Sequence, residues 1–206
     1  MTDLDPRSRP LLEADLADDP FTQFAAWFEE ARAAGVAVPE TMTLATADAD
    51  GRPSARMVLL KEHGPGGFVF FTGYESRKGR ELEENPRAAL VFYWQPLGRQ
   101  VRVEGAVERL PRAESETYFR TRPLESRYGA WASPQSEVIP SRADLDERYA
   151  EAVSRFGDDI PLPERWGGFR LRPSVIEFWQ HRDNRLHDRL RYRRADGGWL
   201  LERLAP

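Results

Sequence analysis

The stretch FVFFTGYESRKGRELEENPRAALVFYW, residues 68–94, decides the fold because it contains a strand, a short helix and a second strand with clear boundaries. The apolar run from Phe68 to Thr72 predicts a strand. Residues 77–84 predict a short helix, which Ser76 caps and which ends before an Asn-Pro pair, because the residue before a proline disfavours the helical conformation. Ala88 to Trp94 then predicts the next strand.

Further predicted strands lie on both sides of this stretch, and most of them are joined by short turns. Asp48 to Gly51, His63 to Gly67 and Ala195 to Gly198 have the composition of such turns. Strands at this spacing favour an antiparallel barrel. The predicted strands are Thr41 to Ala47, Ser54 to Glu62, Arg99 to Val107 with a bulge at Gly105, Val175 to Gln180, Leu190 to Arg194, and Trp199 to Leu204.

Several helices are expected to flank this sheet. Asp19-Pro20 predicts the start of the first helix, whose apolar residues recur at helical spacing until Gly35. A second helical stretch covers residues 111–121, and a loop follows over residues 123–134. Ser141 to Asp144 then opens a further helix with a sequence like a capping box. The fold class is therefore mainly β with flanking helices.

The chain divides into two unequal parts. Residues 1–18 are polar and interrupted by proline, which predicts a mobile N-terminal segment. Residues 19–206 are expected to form a single domain, because the last strands rejoin the same sheet and 206 residues are too few for two well-buried cores.

Composition excludes several classes of function. The formal net charge of −4 argues against general nucleic-acid binding, which needs a basic face. No apolar run approaches the length of a membrane span, and the acidic N-terminus lacks the features of a secretory signal, so we expect a cytoplasmic protein. The chain has no cysteine and three histidines, and no ligand spacing predicts a metal site.

One group of basic residues lies inside a predicted strand. In RMVLLK, residues 56–61, Arg56 and Lys61 alternate with apolar residues, so neither face of the strand is polar. A buried charge needs an anionic partner. Taken alone, this segment fits an internal salt bridge, or a lysine stem that reaches water, better than it fits a ligand.

Two further basic clusters suit anions. Ser76-Arg77-Lys78 opens a short helix, whose free N–H groups and positive dipole end favour a phosphate; ordinary solvated side chains are an equal alternative. In the segment 185–189, Arg185, His187 and Arg189 share one face if the backbone is extended, which would align donors for an anionic or carbonyl-bearing ligand.

The order of several blocks resembles the pyridoxamine 5'-phosphate oxidase family from about Asp19 to the C-terminus. The resemblance implies a split antiparallel β-barrel that binds flavin mononucleotide (FMN), and a homodimer with FMN at the subunit interface. The blocks are RMVLLK at 56–61, FFTGYESRKGRELEENPRAAL at 70–90, RQVRVEG at 99–105, YFRTRP at 118–123, GAW at 129–131, QS at 135–136, WGGF at 166–169, IEFWQ at 176–180 and NRLHDR at 184–189.

The resemblance also implies the site residues. FMN contacts are implied for Arg56, Met57, Val58, Leu59, Leu60, Lys61, Phe71, Thr72, Arg77, Lys78, Gln100, Gln135, Ser136, Trp179 and Arg189. Substrate contacts are implied for Lys61, Tyr118, Arg122, Ser126, Arg185, Leu186 and His187. Within that set, Arg185 and His187 are expected to be catalytic and to orient the substrate ring.

The reaction implied is oxidation of pyridoxamine or pyridoxine 5'-phosphate to pyridoxal 5'-phosphate, with oxygen as acceptor and hydrogen peroxide as by-product. Three alternatives stay open: a related flavoenzyme such as a phenazine-biosynthesis oxidase, a non-enzymatic protein that binds flavin or pyridoxal phosphate, and a protein-interaction barrel. The sequence departs from the family near its N-terminus, where residues 3–6 replace an Arg-x-x-Tyr segment, at His181-Arg182 and at Arg127-Tyr128.

Overall fold

The computed structural model describes residues 9–206. Within these residues, nine antiparallel strands form one sheet, and five α-helices accompany it. The strands are β1 (Thr41–Ala47), β2 (Pro53–Leu59), β3 (Glu62–Gly64), β4 (Gly67–Gly73), β5 (Arg87–Trp94), β6 (Arg99–Arg109), β7 (Trp166–Gln180), β8 (Asp188–Ala195) and β9 (Gly198–Arg203). The helices are α1 (Pro20–Ala33), α2 (Arg77–Glu84), α3 (Arg112–Thr121), α4 (Leu124–Ala132) and α5 (Arg142–Phe156).

The long strand β7 organises the sheet. The strand order is β2-β1-β5-β6-β7-β4-β3, and β8 adds to β7 and carries β9. Residues 166–171 of β7 pair with β4, whereas residues 175–180 pair with β8. The two parts of β7 therefore belong to different halves of the sheet, and the predicted split antiparallel barrel with flanking helices is confirmed. The predicted bulge at Gly105 is present as a register shift between β6 and β7.

Aromatic side chains fill the core under α1. Asp19 caps this helix, and its apolar stripe places Phe24 at ring-centroid distances of 4.9 Å from Phe68 and 5.1 Å from Phe92. A second cluster of buried residues, which includes Phe119 and Trp166, lies under α3, α4 and α5. The side chains of consecutive β4 residues point to opposite faces of the sheet, so Phe70 belongs to the first cluster while Phe71 packs against the second.

Three predicted elements are wrong in detail. Residues 124–132 form α4 instead of a loop, because Pro123 stands at the N-cap of the helix, where proline starts a helix without breaking it. The predicted strand at 175–180 begins nine residues earlier, at Trp166. The predicted strand 54–62 is two strands, since β2 ends at Leu59 and β3 begins at Glu62.

The N-terminal segment is partly packed. Leu11 is buried, its amide donates to Asp188 Oδ2 at 3.1 Å, and Arg203 Nη2 donates to its carbonyl oxygen at 2.9 Å. Mobility was predicted for residues 1–18, and these contacts fix the region around Leu11 against β8 and β9. Residues 1–8 lie outside the described residues, and the domain boundary at Asp19 stays a prediction.

Candidate functional site

A cleft of about 960 Å³ lies between the edge strand β2, the end of β4, the start of α2 and the α3–α4 segment. This volume is in the range of small-molecule sites. The charged residues that line it are Arg56, Lys61, Arg77, Lys78, Arg122 and Arg165 against Glu75 and Glu137. Six cations and two carboxylates in a protein of net charge −4 make this cleft a local anion site.

At the corner between β4 and α2, a lysine is buried against hydroxyl groups. The Ser76 side chain caps α2 by accepting from the Gly79 amide, as predicted. Lys78 is 6% exposed, and its Nζ donates to Thr72 Oγ1 at 3.0 Å and to Ser76 Oγ at 3.2 Å. Burial, with a further contribution from the Arg56 charge, lowers the pKa of Lys78 to about 8. Within residues 9–206 no carboxylate forms an ion pair with this ammonium group, and its positive charge could hold an anion.

Arg56, by contrast, has an internal counter-ion. Its Nη2 lies 3.3 Å from Glu81 Oε2, and its Nη1 donates to the Leu44 carbonyl oxygen at 3.2 Å. Burial would raise the pKa of Glu81, but hydrogen bonds from Ser54, Thr46 and Arg77 outweigh it and hold the pKa at about 2. The alternative of an internal salt bridge is thus correct for Arg56, whereas Lys61 is exposed in the cleft.

The opposite wall, from α3 and α4, carries an arginine with an unused donor. Arg122 follows α3, and its guanidinium carbon lies 4.7 Å from the ring centroid of Trp166. Its Nη1 is buried and, among the described residues, has no hydrogen-bond partner; burial lowers the pKa of this group. Tyr118 stacks on Phe71 at 3.9 Å beside it. A buried donor without a partner is unusual in proteins, and a bound anionic oxygen would satisfy it.

The segment after α4 completes the wall. Gln135 Oε1 accepts from Thr72 Oγ1 at 2.9 Å and from the Gly73 amide at 3.2 Å, which ties this loop to β4. Ser136 has a left-handed backbone, with φ of 73°. Such a conformation is uncommon outside glycine and is often found at functional sites.

The cleft gathers most of the predicted site residues, but not all of them. Leu60 is in the core, at 4% exposure, so only its backbone could contact a ligand. Sequence reasoning missed Arg165, because the start of β7 after it was not recognised. The predicted residues that line the cleft are Arg56, Met57, Val58, Leu59, Lys61, Phe71, Thr72, Arg77, Lys78, Tyr118, Arg122, Ser126, Gln135 and Ser136; those that lie elsewhere are Gln100, Trp179, Arg185, Leu186, His187 and Arg189.

The residues outside the cleft form a second group on β6, β7 and the segment before β8. Gln100 pairs with Trp179, and Trp179 pairs with Arg189, so these three share one face of the sheet. The His187 ring lies 4.5 Å from the Trp179 ring. Burial, with the nearby His181 and Arg185, lowers the pKa of His187.

The backbone of this segment differs from the prediction. Asp183–Arg185 form a 3-10 turn, and Arg185 has a left-handed backbone with φ of 63°. Arg185, His187 and Arg189 therefore do not share one face of an extended strand. Arg189 instead donates from Nε and Nη2 to the two oxygens of Glu177, at 2.7 and 3.1 Å.

The two groups of residues are far apart within one chain. The register runs from Met57 through Thr43, Val91, Arg102 and Glu177 to Arg191, which is five steps between neighbouring strands. At about 4.8 Å per step, β8 lies about 24 Å from β2 along the sheet. No residue of the second group lines the cleft of the same chain.

The described residues contain neither a cluster of metal ligands nor a helix that could span a membrane. Nowhere in residues 9–206 do three or more acidic or histidine side chains cluster as they would around a metal ion. Over the same residues, no helix has the length and apolar character needed to cross a membrane.

Comparison with known proteins gives consistent matches over nearly the whole chain. Residues 28–154 match the family model described as pyridoxamine 5'-phosphate oxidase, and residues 166–206 match that of the pyridoxine 5'-phosphate oxidase C-terminal dimerisation region. The pyridoxine/pyridoxamine 5'-phosphate oxidase of Salinibacter ruber is 60% identical over 195 residues, which cover 93% of this chain and 91% of the relative. The protein of the same name from Thermosynechococcus vestitus is 56% identical over 202 residues, with coverage of 98% and 96%.

Two solved structures share the fold. PhzG from Burkholderia lata, in complex with tetrahydrophenazine-1-carboxylic acid, matches with a TM-score of 0.91 and 34% identity, over 97% of this chain and 100% of that chain. A pyridoxamine 5'-phosphate oxidase-related, FMN-binding protein from Nostoc punctiforme matches with a TM-score of 0.72 and 17% identity, over 96% and 100% of the two chains, which indicates the fold alone.

Proposed function

Because the chain belongs to the pyridoxamine 5'-phosphate oxidase family, we propose that it is an FMN-dependent oxidase that converts pyridoxamine and pyridoxine 5'-phosphate to pyridoxal 5'-phosphate, with oxygen as the acceptor and hydrogen peroxide as the by-product. The observation that carries this proposal is a buried lysine and a partly buried arginine, with one buried Nη1 atom, in a single cleft. Neither Lys78 nor Arg122 has a carboxylate partner within residues 9–206, and the two lie on different walls. Two phosphates, one on the coenzyme and one on the substrate, match this arrangement.

The residues at the β4–α2 corner fit the FMN phosphate. Lys78 and Arg77 supply positive charge at the first turn of α2, where free backbone N–H groups also favour an anion. Arg56, Thr72, Gln135 and Ser136 lie around the same corner and would fix the position of the coenzyme. When bound, FMN supplies the two-electron redox chemistry that protein side chains lack.

The α3–α4 wall fits the substrate phosphate. Arg122 offers its unpaired Nη1, and Tyr118, Ser126 and the exposed Lys61 offer further donors in the same cleft. Stacking on the Trp166 ring holds the Arg122 guanidinium in place before a ligand arrives. A preformed site of this kind orients the substrate with little loss of side-chain entropy on binding.

A second copy of the chain would complete each cleft. No residue of the second group lines the cleft of its own chain, so in a dimer this group would act on the cleft of the partner subunit. Met57 and Tyr93, which are 61% and 57% exposed, stand on the same outer face of the sheet as this group. An exposed apolar face of this kind is typical of an interface, and the match of residues 166–206 to a dimerisation region supports the same homodimer, with FMN at its interface.

In that dimer, Arg185 and His187 would orient the pyridine ring of the substrate against the coenzyme. The His187 Nδ1 accepts from the Arg182 amide at 3.1 Å, which assigns the proton of the neutral ring to Nε2. The lowered pKa of His187 favours the neutral ring, which presents Nε2–H as a donor. Gln100, Trp179, Leu186 and Arg189 would line the same side.

The test is purification followed by assays of oxygen consumption and hydrogen peroxide with each 5'-phosphate, with and without added FMN. Turnover of both substrates that depends on FMN is the expected result. Bound flavin without turnover of either vitamer would refute the proposal. Turnover of another substrate would then favour the phenazine-type alternative. The complete absence of oxygen consumption would favour a non-enzymatic carrier. Protein that stays colourless with FMN would favour the interaction barrel. The cytoplasmic location stays a prediction.

A further inference from the structure

One buried carboxylate underlies the cationic corner of the cleft. Glu81, on the second turn of α2, is 5% exposed and belongs to neither set of residues that the family resemblance implies. Its Oε2 accepts from Thr46 Oγ1 at 2.5 Å and from Ser54 Oγ at 2.6 Å, and it lies 3.3 Å from Arg56 Nη2. Its Oε1 accepts from Arg77 Nε at 2.9 Å. One carboxylate thus joins β1, β2 and α2.

The same contacts determine where two cations of the cleft can stand. Arg77 is 61% exposed in its side chain, so without Glu81 it would extend into solvent. The Arg56 side chain is 20% exposed and is bonded to Ser54, Thr46 and Glu81 together. Arg77 uses only its Nε–H on Glu81, so its four Nη hydrogens remain for a phosphate. Arg56 uses both Nη groups on Leu44, Thr46, Ser54 and Glu81, so its Nε–H remains.

Charge alone and geometry make opposite predictions for this residue. A carboxylate near a phosphate site repels the phosphate, so by Coulomb's law its removal should tighten FMN binding. If instead the carboxylate holds the arginines in place, its removal should weaken FMN binding although the site becomes more positive. The hydrogen bonds from three elements favour the second outcome, because a solvated arginine must be ordered again at an entropic cost when the ligand binds.

We propose that Glu81 is a positioning residue for the FMN phosphate, which acts by fixing Arg56 and Arg77 at the β4–α2 corner. This inference rests on the proposed FMN site. It predicts that the contribution of Glu81 depends on the phosphate and is absent for riboflavin, which has the same ring system without a phosphate.

The test is titration of flavin-free protein with FMN and with riboflavin, followed by quenching of flavin fluorescence. Glu81→Gln should raise the Kd for FMN about tenfold, as expected for weakened charge-assisted hydrogen bonds, and leave the Kd for riboflavin unchanged. Glu83→Gln is the matched control, because it removes the same charge from the same helix but the Glu83 carboxylate pairs with Arg109, outside the cleft. It should change neither Kd.

A second variant covers the case that Glu81→Gln does not fold. Ser54→Ala removes one donor to Glu81 and one acceptor of Arg56 without any change of charge, so we expect a smaller, about threefold, rise in the Kd for FMN alone.

Three outcomes overturn the inference. An FMN affinity that is unchanged or higher in Glu81→Gln would show that charge dominates. Equal weakening of FMN and riboflavin would show that Glu81 only supports the fold. If the unmodified protein binds riboflavin as well as FMN, the proposed phosphate site fails and the inference fails with it. In a protein that prefers FMN to riboflavin, the first two outcomes refute the inference alone and leave the proposed phosphate site standing.

Discussion

Replacement of Lys78 by methionine should change stability and FMN affinity in opposite directions. Without a ligand, the ammonium group is buried against hydroxyl oxygens, and its pKa falls from 10.5 to about 8. This difference corresponds to about 3 kcal/mol of destabilisation at pH 7. Methionine has nearly the same shape and no charge, and Thr72 and Ser76 keep their bonds to Gln135 and Gly79. We therefore expect flavin-free Lys78→Met to be more stable than the parent protein by about 1–3 kcal/mol at pH 7.

The sign of the pH dependence follows from the two pKa values of Lys78. Below pH 8 the lysine carries its proton in both the folded and the unfolded protein, so the cost of burying the charge is complete. Between pH 8 and 10.5 the folded state loses the proton first, and the cost declines. The stability advantage of Lys78→Met should therefore fall to about 1 kcal/mol or less at pH 10.

The same variant should bind FMN about 10- to 150-fold more weakly, because hydrogen bonds to charged groups contribute about 1.5–3 kcal/mol. Urea unfolding of flavin-free protein at pH 7 and pH 10, at one fixed protein concentration, measures the stability, and fluorescence titration measures the affinity. Lys61→Met is the control for stability, since Lys61 is exposed. A variant that is less stable than the parent at pH 7, or that binds FMN equally well, would refute the reasoning.

Three further predictions concern the rest of the site and the fold. Arg185→Ala should reduce substrate turnover far more than flavin retention, and equal loss of both would contradict its assigned role. Arg122→Met should raise the KM for pyridoxine 5'-phosphate at least about tenfold, because the side chain acts on the phosphate. It should leave the KM for unphosphorylated pyridoxine unchanged, and a similar rise for both compounds would count against this role. Gly79→Ala should lower the free energy of unfolding by about 2 kcal/mol or more, since its Cβ would lie 2.1 Å from the Tyr74 carbonyl oxygen. Gly129→Ala is the control and should leave the free energy of unfolding unchanged, because the space around Gly129 is open. Urea unfolding measures both changes, and equal stability of the two variants would show that the backbone near Tyr74 can move.

The elements that the sequence predicts well are those with local signals at both ends. Helix α2 has its observed bounds because Ser76 caps it and a proline follows it. Strand β1 is equally exact, with turn residues after it. In both cases the hydrogen bonds that end the element come from neighbouring residues in the chain, so no distant contact is needed to place the boundary.

The elements that were missed depend on contacts with distant parts of the chain. The start of β7 contains Gly167 and Gly168, which are poor strand residues by propensity. In the structure they let other groups approach closely: a Cβ at Gly167 would lie 2.0 Å from Tyr74 Oη, and one at Gly168 would lie 2.5 Å from Leu110 Cδ1. Helix α4 was missed for a similar reason, because its buried residue Tyr128 packs against Tyr149 of α5.

The pairing of arginines with buried carboxylates explains why the basic residues of the sequence predict the candidate site only in part. Arg56 and Arg189 each have a nearly buried carboxylate as partner, Glu81 and Glu177, and the sequence does not identify either of these carboxylates. An arginine can keep such a partner and still bind a ligand, because a bidentate pair uses two of its five N–H donors. The lysine ammonium group has three N–H donors, and Lys78 uses two of them on Thr72 and Ser76. A carboxylate on the third would compete directly with a phosphate. Lys78 is therefore the residue of the corner that should lack an acidic partner if the corner binds phosphate, and it does lack one within residues 9–206.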